Sequence, residues 1–196
     1  HRGERRELDV RVSILPAVMG ENVTMRLLQR DQVSLDLDRI PFAPCVRERI
    51  DRALKRPWGL IVVTGPTGCG KTTTIYSCLN RLAGGPRKLM SVEDPVEYLL
   101  GGVVQVQVRP QDGLTFARAV RSFLRCDPDI ISIAEIRNAE TLNVSVQAAL
   151  TGHLVFTTLH TDEAVTAVKR MIDIDLPPFL VADAVKLIVA QRLIRC

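Results

Sequence analysis

Residues 65–74 read GPTGCGKTTT, and the spacing G-x-x-x-x-G-K-[ST] is that of a loop built to hold phosphate. The loop follows the apolar run LIVV and opens a helix-forming segment, the context such a loop requires. Gly65, Gly68 and Gly70 let successive backbone N–H groups turn inward on phosphate, where a helix N-terminus adds partial positive charge. Lys71 is expected to reach the β- and γ-phosphates, and the Thr72 hydroxyl to hold Mg2+. Pro66, Thr67, Cys69 and Thr73 complete the expected nucleotide-binding set, with Cys69 contributing mainly its backbone N–H. The sequence has no N-K-x-D guanine-reading motif, which favours ATP over GTP.

Acids stand where a parallel sheet brings them to the same edge. Glu93 and Asp94 follow the run LMSV, and Glu135 follows IISIA. Ligands of such sheets lie outside the carboxyl ends of the strands, the edge this phosphate loop occupies. Carboxylates there orient an attacking water and complete the Mg2+ shell through water, the roles expected of Glu135. His153 and His160 bracket the run LVFTTL. Straight strand separates them by about 23 Å, so both cannot touch one phosphate. His160, at the carboxyl end, is expected to sense the γ-phosphate. His153, at the other end, is expected to contact a neighbouring element or subunit, or to be structural.

The scaffold follows from patterning. Residues 8–15 alternate, with Val10, Val12 and Ile14 opposed to Arg11 and Ser13. Residues 22–28 repeat this with Val23, Met25 and Leu27 opposed to Thr24 and Arg26. These are two half-buried strands joined by PAVMGE, and they must belong to a larger unit, because two strands do not stand alone in water. Residues 31–45, with two prolines, read as a linker. From residue 46 strands and helices alternate. Buried strands are expected at LIVV, KLMSV, IISIA and LVFTTL. Phe116, Ala119, Val120, Phe123 and Leu124 make an amphipathic helix, Asn138 caps the next, Asp162 caps another, and residues 177–195 form a last helix. The expectation is an α/β fold with a mainly parallel sheet covered on both faces.

Composition bounds the rest. The 196 residues are 46% hydrophobic, enough for one full core. A net charge of +4 permits an anionic partner without requiring one, and 4% aromatics argue against a base-stacking platform. Cys45, Cys69, Cys78, Cys126 and Cys196 include no C-x-x-C pair, so a reducing cytoplasm is inferred rather than a disulfide framework. No apolar run approaches the roughly 20 residues of a membrane span, and no signal segment opens the chain. The start at His1 rather than Met reads as a fragment.

TGPTGCGKTTT, SVEDPVEY, GLTFARAVRSFLRCDPDIISIAEIRNAET and AALTGHLVFTTLHT resemble, in order, the Walker A, Asp, Walker B and His boxes of the secretion ATPases. These are the motors of type II secretion and type IV pilus assembly (the GspE/PilB/PilT group), and the chain is most like the GspE/PilB branch. The resemblance implies a RecA-like P-loop core over 46–196, truncated at its C-terminus. Residues 1–30 would be the incomplete β-hairpin end of a second, α+β N-terminal domain. It implies a cytoplasmic hexameric ring peripheral to the inner membrane, hydrolysing ATP with Mg2+ and working with platform and secretion or pilus proteins, not nucleic acid. It further implies Glu135 as the catalytic glutamate, Glu93 as the key Asp-box acid and His160 as the nucleotide-proximal histidine. Arg11 and Arg26 would be the arginines that reach the phosphates when the lobes close, and a tetracysteine zinc module would begin at Cys196. Three residues depart from the pattern: Ser132 where the family is aliphatic, Ala134 where it has Gly, and Asn138 where it has Asp. Ala134 adds a Cβ beside Glu135, so slower turnover, relieved by Ala134→Gly, is expected. Two other readings stay open: a RecA-like nucleic-acid translocase, and a ring-assembly protein that binds ATP with little hydrolysis.

Overall fold

The structure, a computed structural model, describes residues 9–28 and 35–194. The expectations for residues 1–8, 29–34 and 195–196, Cys196 included, lie outside them. The chain divides into two units, His1–Ser34 and Leu35–Cys196.

In the first unit β1 (Asp9–Ala17) and β2 (Gly20–Leu28) pair antiparallel through the two-residue connection Val18–Met19. Cross-strand pairs share a face. Val10 with Leu27, Val12 with Met25 and Ile14 with Val23 make one face, and Arg11 with Arg26 and Ser13 with Thr24 make the other. The alternation is as expected, but the burial is not. Within that apolar face exposure runs from 41% at Val10 to 66% at Met25. A single hairpin has nothing of its own to bury that face against.

The second unit carries a six-stranded, wholly parallel sheet in the order β5-β4-β6-β7-β3-β8. Its strands are β3 (Gly59–Thr64), β4 (Leu89–Glu93), β5 (Val103–Gln107), β6 (Ile130–Ile133), β7 (Leu154–Leu159) and β8 (Val185–Ala190). The helices are α1 (Pro44–Leu54), α2 (Lys71–Leu82), α3 (Phe116–Phe123), α4 (Ala139–Leu150), α5 (Ala164–Asp173) and α6 (Pro178–Ala184). Every residue of β3, β4, β6 and β7 is buried, as a sheet covered on both faces demands. Strand side chains alternate between two cores. Leu60, Val62, Val92, Ile131 and Ile133 pack with α3 and α4, whereas Ile61, Val63, Ile130, Leu154 and Phe156 pack with α1 and α2. No helix among the described residues is long and apolar enough to cross a membrane.

Several expectations are corrected. The final segment is not one helix: α6 stops at Ala184, and Val185–Ala190 continues as β8 beside β3. The run VKLIV is rich in β-branched residues, and an open sheet edge overrides its ambiguous period. Asp162 does not cap α5. Glu163 holds that position without a side-chain bond, and Asp162 instead lies 3.4 Å from Arg192. Of the stretch read as a linker, residues 35–45 belong to the second unit: Leu37 is 2% exposed in its core, and Pro44 opens α1. The sequence patterning predicts neither α1 nor β5.

Candidate functional site

The chain leaves β3 through Gly65, whose φ of 145° and crowded surroundings both require glycine. A Cβ there would fall 2.3 Å from the Gln191 carbonyl oxygen and 2.7 Å from Cys69 Sγ. Gly70, at φ 88°, precedes α2 with no side-chain cap, so the first N–H groups of the helix stay free for a ligand. Lys71 Nζ donates to the carbonyls of Gly65 (2.8 Å) and Pro66 (2.9 Å), two of the three hydrogen bonds an ammonium can make. Thr67, Gly68, Gly70, Lys71, Thr72 and Thr73 line a cleft of about 430 Å³. Gly65, Pro66 and Cys69 shape the loop without lining the cleft, and Cys69 is only 4% exposed.

The opposite wall comes from the carboxyl ends of three strands: Glu93 at the end of β4 and Asp94 just after it, Ser132, Ala134 and Glu135 around the end of β6, and His160 after β7. Both neighbours of Glu135 are pinned. The Ala134 N–H donates to the Val92 carbonyl (3.0 Å), Thr158 Oγ1 donates to the Ala134 carbonyl (2.6 Å), and the Ile136 N–H donates to the Thr158 carbonyl (3.1 Å). The Glu135 side chain, 17% exposed, pairs through Oε1 with Arg137 and through Oε2 with His160 Nε2 at 3.2 Å. Burial pushes its carboxyl up, yet Arg137 and then His160 outweigh it and hold the group below its ordinary value. Ala134 lines the cleft, and its backbone lies outside the left-handed region, so no strain marks the departure from glycine.

Glu93 is 4% exposed, and neutral donors occupy both its oxygens. Ser91 Oγ (2.6 Å) and Gln105 Nε2 (3.0 Å) donate to Oε1, and the Tyr76 hydroxyl donates to Oε2. Burial first, and then the facing carboxylate, push the Tyr76 phenol far above its ordinary value, which keeps it a donor. Among the described residues no group of three His, Cys, Asp or Glu is placed to hold a metal ion. Glu93, Asp94 and Glu135 thus share a wall without forming a cage. Thr72 and Glu135 fit Mg2+ all the same, because that ion keeps several waters and takes the rest of its shell from phosphate.

The remaining expected residues lie apart from the cleft or in the other unit. His153, at the far end of β7, holds its Nδ1 2.9 Å from the Ala148 carbonyl and closes α4. Arg11 and Arg26 face each other across β1 and β2. Residues not singled out from sequence include Tyr76, Arg137, Thr158 and Gln191. Tyr76 stands four residues after Thr72 on α2, and that spacing places both on one helix face. Arg137 stands two residues after Glu135, a weaker signal.

The description "Type II/IV secretion system protein" fits residues 2–196. Type II secretion system protein E of Dickeya dadantii (strain 3937) is 49% identical over 97% of this chain and 38% of its own length. The type IV pilus assembly ATPase PilB of Myxococcus xanthus (strain DK1622) is 49% identical over 98% of this chain and 34% of its own. The chain therefore spans well under half the length of these relatives. Among solved structures, the pilus retraction motor PilT with bound ADP superposes at a TM-score of 0.75, with 30% identity over 90% of this chain and 52% of PilT. The ATPase DotB of Legionella pneumophila gives 0.72, with 27% identity over 93% of this chain and 51% of DotB. A parallel sheet with this phosphate loop and these neighbours is a RecA-like P-loop fold, and the chain belongs to the type II/IV secretion system protein family, with the type II E proteins and PilB among its relatives.

Proposed function

We propose that this chain carries the nucleotide-hydrolysing core of an ATP-driven motor for type II secretion or type IV pilus assembly. The observation that carries the reading is one cleft walled by Lys71, Thr72, Glu135 and His160, in which Glu135 is paired with both Arg137 and His160. ATP enters with its phosphates against the N–H groups of the loop and α2. Lys71 exchanges its loop carbonyls for the β- and γ-phosphates. Glu135 accepts a hydrogen bond from a water and orients it in line with the γ-phosphorus, and His160 steadies Glu135 and senses the γ-phosphate. Attack forms the new P–O bond, breaks the bond to the β-phosphate oxygen, and yields ADP, phosphate and a proton. Mg2+, held by Thr72 and through water by Glu135, would neutralise the charge developing on the phosphates.

Arg11 and Arg26 support an arginine contribution from the first unit. Two guanidiniums directly opposed on a ladder repel each other, and a shared phosphate relieves this. Arginines supplied in this way are worth roughly 10³–10⁵ in rate in other NTPases. In the working assembly we place the chain in a hexameric ring at the cytoplasmic face of the inner membrane, engaged with platform and secretion or pilus proteins.

Phosphate release by the full-length protein tests the proposal. Lys71→Ala is expected to lose nucleotide binding. Glu135→Gln is expected to bind ATP with turnover down by about 10²–10⁴, and Ala134→Gly to turn over faster than wild type. Wild-type turnover in Glu135→Gln overturns the assignment. DNA-stimulated turnover with steep salt dependence would favour a translocase instead, and binding without phosphate release an ATP-held assembly protein.

A further inference from the structure

Gln191 follows β8 directly and stands behind the phosphate loop, away from the cleft. Its backbone N–H donates to the Thr64 carbonyl at 2.9 Å, fastening it to the strand that feeds the loop. Its side chain then bridges the loop and α2. Nε2 donates to the Cys69 carbonyl at 2.8 Å, and Oε1 accepts from Thr74 Oγ1 at 2.7 Å. Chemistry fixes this amide orientation, because a carbonyl oxygen only accepts and so must face the nitrogen. Glycine leaves the space for it: a Cβ on Gly70 would fall 2.9 Å from Nε2.

A trans peptide is planar, and its C=O and N–H point in opposite directions. Drawing the Cys69 carbonyl backward onto Gln191 therefore turns the N–H of the same peptide, that of Gly70, forward. Gly70 lines the cleft, and among the described residues no backbone acceptor takes up its N–H. We propose that Gln191 is a positioning residue that aims the Gly70 N–H at the nucleotide's phosphates by gripping the Cys69 carbonyl from behind. Thr74, 1% exposed, braces the amide from the other side. The inference rests on the reading of the cleft as a nucleotide site, and it concerns binding of the diphosphate shared by ATP and ADP. The cleavage step does not involve it.

The test uses full-length protein, with KM and kcat for Mg-ATP and the dissociation constant of fluorescently labelled ADP. Gln191→Leu removes both side-chain bonds and is expected to raise KM and the ADP dissociation constant about tenfold, with kcat within about twofold. Thr74→Val is expected to weaken binding by a smaller factor, and to add nothing in the Gln191→Leu background. Gln191→Glu keeps the shape and the acceptor for Thr74 but turns an anion toward the Cys69 carbonyl. Its ADP affinity relative to wild type is expected to recover as pH falls from about 8 to about 5.5, because a protonated carboxyl again donates to that carbonyl. A role confined to stability would lower the melting temperature and leave the ADP dissociation constant of the folded protein unchanged. Unchanged ADP affinity in both Gln191 variants overturns the inference, as does a loss that only tracks a lowered melting temperature. Failure of the wild type itself to bind ADP strikes the reading of the cleft instead.

Discussion

Glu135 is paired with two basic groups of different kinds, and their difference is measurable. Arg137 is charged at every accessible pH, whereas His160 is charged only when protonated, and each takes one carboxylate oxygen. The pairing with Arg137 is present while Glu135 is ionised. With the folded-state value held below the ordinary 4.5, this contribution to stability is complete above about pH 4.5 and is lost as pH falls through the lower folded value. Arg137→Ala should therefore melt below wild type at pH 7, and the gap should close on acidification below about 4.5. A gap independent of pH would mean that Arg137 acts through packing alone. Glu93 raises the converse case, a buried acid with no cation within bonding distance among the described residues. Tyr76→Phe leaves Oε2 without the donor it has here, and the expected cost is about 1.5–3 kcal/mol in urea denaturation. An unchanged midpoint would mean that water replaces the hydroxyl.

Elements decide where those residues stand, and their ends matter most. Asn138 Oδ1 accepts from the Thr141 N–H at 2.9 Å and caps α4, three residues beyond Glu135. Asn138→Ala should cost about 1 kcal/mol. Asn138→Asp should keep the cap and add about 0.3–1 kcal/mol from the helix dipole, both read by chemical denaturation. This departure from the family pattern is thus a change of charge at a preserved cap. Equal loss in the two variants would break that account. The same ends explain what was legible in the sequence. Strands buried on both faces announce themselves as unbroken apolar runs, so LIVV, IISI and LVFTTL were plain, and with them the edge where the loop and acids meet. A strand at the sheet edge has no such signature. Half-exposed VVQVQ offered too short an alternation for β5, and VKLIV suits a helix or a strand until β3 offers its open edge. The helix α1 hid behind prolines that read as linker, although Val46, Ile50, Ala53 and Leu54 carry its period. Bonds from behind the loop were illegible for another reason. Gln191 meets Cys69 across 122 positions of sequence, and no local pattern records it.

At the scale of the whole molecule, stability is divided unevenly between the two units. Every residue lining the cleft belongs to Leu35–Cys196, whose sheet is buried on both faces over four of its strands. The β1–β2 pair has only its own ladder and an apolar face that is nearly half exposed or more at most positions. Hydrogen exchange should therefore be split. Amides of β3, β4, β6 and β7 should exchange only through global opening of their unit, whereas those of β1 and β2 should exchange orders of magnitude faster. A nucleotide that binds only the folded cleft adds RT ln(1 + [L]/Kd), about 2.7 kcal/mol at one hundred times Kd. With ADP at that excess, protection should rise by roughly a hundredfold throughout the sheet of the second unit and stay unchanged in β1 and β2. Equal slowing in both units would show instead that the hairpin opens and closes with the second unit as one cooperative body.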